Sequence, residues 1–207
     1  MSKDKDLSMI PHDGEAGGRI ADAILNFVAH VPESDYRKSR DADAIARSVA
    51  NSAARKAAMA AGGLALPPGP LGWLTILPEL VTVWKIQAQM VADIAALYGQ
   101  KSALTREQML FCLFRHTAAQ AVRDLVVRAG ERWLVQSASL HALQSVAQKI
   151  GIGVTRRVLG KSVSRWLPVV GAVGVGAYAY WDTAQVGRTT MELFQPPAKT
   201  DRLQTTR

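Results

Sequence analysis

Apolar positions along this chain recur at helical rather than strand spacing. In "GRIADAILNFVAH" (18–30), Ile20, Ile24, Phe27 and Val28 fall on one side of a helix. A polar linker, "VPESDYRKSRD", follows. An Ala-rich helix then starts near Asp41, with Gly62 and Gly63 expected at its fraying end. "PPGP" (67–70) has to break the chain. A third helix is predicted from about Trp73 to Tyr98 and is stopped by Gly99, with Pro78 in its first turns, where a missing N–H costs least. "TREQ" (105–108) has the capping-box spacing, Thr105 at the cap and Gln108 three residues on, and opens a helix predicted to reach Ala129. Helices over about 131–150 and 154–166 flank "GIG" (151–153), and Pro168 with Gly171 is expected to turn the chain into a last helix ending near Phe194. Strand signals are nearly absent, so the predicted class is all-α. Residues 1–17 are expected to be a disordered lead, 18–194 a single helical domain and 195–207 a polar tail.

Two runs depart from the amphipathic pattern. From Ala57 to Trp84 the chain carries one charge, Glu79, in twenty-eight residues. Between Trp166 and Trp181 lie fourteen residues with none, four of them Gly or Pro. Each run is preceded by bases, contains a Pro/Gly break and flows into a helix that turns polar along one side. At an offset of 96, Ala88-Gln89-Met90 aligns with Ala184-Gln185-Val186, and Leu97-Tyr98 with Leu193-Phe194. The pattern therefore predicts a bundle built around two apolar helical hairpins, related by a pseudo-twofold axis if the repeat is genuine. A spanning helix needs about 20 apolar residues. The second run is too short, and PPGP divides the first into two arms. Two uses remain open: a re-entrant contact with a membrane, or a face-to-face soluble core. Trp73, Trp84, Trp166 and Trp181 sit near the ends of the runs, where indole suits a headgroup boundary.

Charge sharpens this. The net is +8, but residues 1–50 hold nine acids and seven bases, whereas residues 100–166 hold eleven bases and three acids. A basic middle favours an anionic partner. Arg157, Lys161 and Arg165, with Lys149, share roughly one helical face beside the second run, and each base near an anionic bilayer contributes about 1 kcal/mol. Helix-turn-helix, zinc-finger and aromatic-platform patterns are not recognisable, which argues against nucleic acid. The single cysteine, Cys112, excludes an internal disulfide and suits a reducing compartment. With an N-terminus lacking a signal-peptide core, this gives a cytoplasmic expectation.

Catalytic motifs carry little. "GVGAYA" (174–179) matches a dinucleotide loop, but the strands that loop requires are not predicted. Cys112 and His116 share a helical face without an acid at helical spacing to orient the histidine, and Cys112 sits in apolar "MLFCLF". The four histidines form no ligand spacing. No catalytic set, metal or cofactor is predicted. Polar residues on the apolar helices are the better candidates: Gln89 and Asp93 are expected to face Gln185 or Arg188 across the hairpin interface, because buried polar groups need partners.

The Pro/Gly break, "QAQMVADIAALYG" (87–99), the cap after it, the basic middle and "LPVVGAVGVGAYAYWDTAQVGRTTMELF" (167–194) resemble the EcsC family and the related YcjF-type domain of unknown function, over roughly residues 41–194. The resemblance implies an α-helical bacterial protein with apolar hairpins, often taken to be membrane-associated, and supplies no catalytic residues. The resulting expectation is a non-enzymatic protein associated with anionic membrane or lipid from the cytosolic side. Its rival is a soluble helical interaction module, a scaffold or immunity-type protein with a protein partner.

Overall fold

The computed structural model describes residues 13–28, 30–64, 72–116, 144–152 and 168–196, and all regular structure among them is helical. Helix α1 spans Asp13–Val28, α2 Ala42–Leu64, α3 Gly72–Leu97 and α4 Arg106–Phe114. Residues 144–152 form α5, and α6 spans Pro168–Phe194. A 3-10 turn, Lys101–Ala103, joins α3 to α4.

Local signals fix several boundaries. Helix α3 ends in a Schellman motif: Gly99 has φ +80°, its N–H donates to Ala96 O (2.9 Å), and Gln100 N–H donates to Ala95 O (2.8 Å). At α4 the capping box forms in full, with Gln108 N–H donating to Thr105 Oγ1 (3.2 Å) and Thr105 N–H to Gln108 Oε1 (3.0 Å).

Helix α3 is central. Trp84, Ala88, Val91, Ile94 and Ala95 are buried on it, meeting Ile24 of α1, Leu110, Leu113 and Phe114 of α4, Ile150 of α5 and Val186 of α6 in one core. The buried Ile24 side chain contributes roughly 1.5–3 kcal/mol, which holds α1 on the bundle. Trp84 lies between Phe27 and Phe114, edge-on to the latter at 5.4 Å.

Helices α2 and α6 pack through small residues. A Cβ added at Gly187 would lie 2.8 Å from Ala50 Cβ, and one at Gly176 would lie 3.0 Å from Ala58 O and 3.7 Å from Gly62 Cα. Numbers fall along α6 as they rise along α2, so the pair is antiparallel. The Tyr98 hydroxyl, just past the end of α3, donates to Asp43 at the start of α2, so α2 and α3 are antiparallel too. Helix α6 therefore runs parallel to α3, and Gln87 meets Thr183, 96 residues on. The predicted break between α2 and α3, at 67–70, lies outside the described residues. The other arm of the second hairpin, about 154–166, lies outside the described residues.

Two local expectations change. Residues 168–181 continue as helix without a turn at Gly171, because Pro168 occupies the first helical position, where its missing N–H costs nothing. The glycine at 176 serves close approach to α2 instead. The linker before α2 is also tied down: Ser39 N–H donates to Leu97 O (3.0 Å), Lys101 Nζ to Ser34 O, and Gln89 Nε2 to Glu33 O (2.9 Å).

Candidate functional site

The sequence places an uncharged run at the end of α2, Ala57 to Leu64, and another at the start of α6, Pro168 to Tyr180. Antiparallel packing sets these runs side by side at one end of the bundle. Here α6 touches its neighbours along a narrow stripe: Gly176 and Ala179 are buried, whereas Val173, Val175, Tyr178 and Tyr180 are exposed. Trp181 is 51% exposed, and Met59 of α2 is 77% exposed. An apolar end with large side chains turned outward is what a soluble core avoids.

The border of this end is sharp. Interpolating between the contacts at Gly187 and Gly176 places Arg55 and Lys56 of α2 level with Trp181. The pairing of Gln87 with Thr183 places Lys85 of α3 at the same height. All three bases are exposed. Three cations and one indole thus lie at one level on α2, α3 and α6. From Pro168 to Trp181, α6 extends about 20 Å beyond it at 1.5 Å per residue. That exceeds half of a hydrocarbon core of about 30 Å and falls short of the whole.

Just inside this level lies a buried polar knot. Asp182 Oδ1 is 2.7 Å from His116 Nε2, and its Oδ2 accepts from Gln87 Nε2 (2.7 Å), which also donates to Thr183 Oγ1 (3.1 Å). The His116 and Asp182 side chains are each 14% exposed. The His116 ring stands edge-on to Trp181 at 6.1 Å, and its Nδ1 is buried without a hydrogen-bond partner among the described residues. The knot ties α3, α4 and α6 together where the bundle passes from its mixed core to its apolar end. Apart from His116 Nδ1 its groups are paired, and pairs of this kind hold one arrangement, since losing a partner leaves a buried charge or donor unpaired.

The sequence candidates fall on different ground. Trp84 is 5% exposed inside the core, so it does not face a boundary as expected: Phe27 and Phe114 enclose it. Trp181 is at the surface. The Trp73 side chain and residues Arg157, Lys161, Arg165 and Trp166 lie outside those described. Gln89 and Asp93 do not reach α6; Gln89 Nε2 donates to Asp93 Oδ1 (3.0 Å), one turn on along the same helix, and to the linker. Gln185 is half-buried, and Arg188 is exposed toward Asp43 and Tyr98 rather than toward Gln89. The polar contact between α3 and α6 is real in kind, but Gln87 makes it. Cys112 is wholly buried, and burial pushes its thiol up to about 12, so it is a packed side chain rather than an activated thiolate. The acid that orients His116 comes from another helix, which spacing within one helix could not reveal.

A family model, described as the EcsC protein family, matches residues 29–196. No curated protein matches, and no solved structure matches.

Proposed function

The chain belongs to the EcsC protein family, and from that premise and the geometry above we propose that it is a non-enzymatic membrane-associated protein that inserts its apolar end into one leaflet from the cytosolic side. One observation carries the reading: the uncharged ends of α2 and α6 coincide, and Arg55, Lys56, Lys85 and Trp181 border them at a single height. Bases and one indole ring at that height match the chemistry of an anionic headgroup layer. The length beyond it suits one leaflet. The basic residues Arg157, Lys161 and Arg165 would add to the same attraction.

Flotation on anionic vesicles in low salt tests this. Removing Arg55 and Lys56 together should weaken binding roughly 30-fold, from about 1 kcal/mol each. Replacing Tyr180 and Trp181 by alanine should lower the salt-resistant fraction. Wild-type protein that stays with the aqueous phase, or variants that float unchanged, would sink the reading.

A second reading has its own support. The described helix most like a membrane span, Leu80–Leu97, has 61% of its residues buried inside the bundle, as the core helix of a soluble protein does. A soluble interaction module with a protein partner over Tyr178 and Trp181 follows from that. It requires a monodisperse protein without detergent and no binding to vesicles.

A further inference from the structure

At the other end of the bundle, α2, α3 and α6 border an open cavity of about 220 Å³ lined by Asp43, Arg47, Tyr98, Arg188, Glu192 and Gln195. Two arginines from two helices face two carboxylates there, yet the charges are not paired with one another. Both oxygens of Asp43 are engaged elsewhere: Oδ1 accepts from the Tyr98 hydroxyl and Oδ2 from Gln195 Nε2 at 3.3 Å. Glu192 Oε2 is taken by Arg115 of α4 at 3.0 Å. Neither Arg47 nor Arg188 has an ion-pair partner among the described residues. Two guanidinium groups therefore share one cavity with their neighbouring acids held by other donors. We propose that Arg47 and Arg188 bind a small phosphate monoester in this cavity.

The chemistry favours that class. A guanidinium presents a planar fork of donors suited to phosphate, and forks on two helices can take different oxygens of one dianion. A single carboxylate offers fewer oxygens for two such forks. The cavity lies below the usual range of about 300–1,000 Å³ for drug-sized ligands, so a phosphate group with a short carbon skeleton is the scale that fits. Arg188 lies seven residues beyond Trp181, about 10 Å further along α6, on the side away from the apolar end. The site is independent of the membrane reading, because phosphate binding is measured without vesicles.

The test is isothermal titration of the full chain with inorganic phosphate and with glycerol 3-phosphate in low-salt, phosphate-free buffer. Saturable binding is expected. Arg47→Gln and Arg188→Gln should each weaken it about tenfold, as the loss of a charge-assisted hydrogen bond implies. Arg106→Gln, at the exposed start of α4 and away from both the cavity and the apolar end, should leave it unchanged, and thermal melts confirm that each variant folds. A parallel arm uses phosphatidate vesicles. Loss of vesicle binding in Arg47→Gln but not in Arg106→Gln would assign the phosphate to a lipid headgroup, whereas binding of the soluble ester alone assigns it to a metabolite. No saturable binding in either arm, or equal weakening by Arg106→Gln, overturns the proposal.

Discussion

The seam between α2 and α6 makes a prediction of opposite sign for the same substitution at two places on one helix. Glycine to alanine inside a helix gains about 1 kcal/mol from propensity alone. At Gly174 nothing lies within 4 Å of the new Cβ, so the gain should appear in full. At Gly187 the new Cβ would meet Ala50 Cβ at 2.8 Å, against an optimum of about 3.5–4.0 Å between carbons. Ala50 Cβ is fixed to its backbone, so the helices must separate. Overpacking of this kind typically costs 1–3 kcal/mol, and here the helices would part by roughly 1 Å, which belongs toward the upper end. Gly187→Ala should therefore destabilise by roughly 1–2 kcal/mol net, while Gly174→Ala stabilises by up to about 1. For a chain of this length each kcal/mol moves Tm by about 2–4 °C. Circular dichroism melts on both variants read the difference, and urea titrations give the free energies. A double-mutant cycle with Ala50→Gly isolates the contact: its coupling should exceed about 0.5 kcal/mol and favour the double variant. Gly187→Ala melting at or above the wild-type temperature, or a cycle closing to zero, would refute the close approach.

Asp182→Ala leaves Gln87 and His116 without their shared acceptor and should cost about 2–4 kcal/mol, read by urea denaturation; a loss under about 0.5 would mean that the knot does not hold the helices. Trp84→Ala should cost about 3–5 kcal/mol without altering vesicle affinity per folded molecule, the reverse of Trp181→Ala, and flotation at matched folded fraction separates the two. Burial raises both the Cys112 thiol and the Tyr98 hydroxyl to about 12, from 9.0 and 10.0, with the Asp43 hydrogen bond adding to the effect at Tyr98. The unfolded chain loses these protons first, so the stability they provide is complete below about pH 9 and is lost as pH rises toward 12; urea midpoints should fall steeply across that window and less steeply in Tyr98→Phe. Cys112 should resist a thiol reagent at pH 8 until urea unfolds the chain, and rapid labelling of native protein would contradict its burial.

What the sequence made legible is local. The Thr105–Gln108 box and the Gly99 stop depend on residues within one turn of each other, and their chemistry allows one outcome. The buried face of α1 followed from periodicity. Trp84 and Trp181 both sit at the end of an apolar run, and nothing in the run distinguishes them; the neighbours that bury one and leave the other outside belong to α1 and α4. Gln87 makes the contact expected of Gln89, two residues away and on a different side of the helix, because the pattern shows that a polar group lies on α3 but not which direction α6 occupies. The knot joins partners 66 and 95 residues apart, beyond any spacing rule. Gly171 looked like a turn because Pro and Gly usually punctuate, whereas the packing between α2 and α6 rewards small residues within a continuous helix.

The burial of α3 also sets an order in time. Its stretch Leu80–Leu97 is long and apolar enough to be taken for a membrane span, and its burial is complete only when α6 has joined α1, α2 and α4 around it. During synthesis α3 leaves the ribosome well before the last residue of α6. At about 5–20 residues per second that interval lasts several seconds. For that time the side of α3 that faces α6 lacks its cover, and whatever first meets it, bilayer or chaperone, competes with α6. The late position of α6 thus makes commitment to the final fold wait until α6 itself has been synthesised.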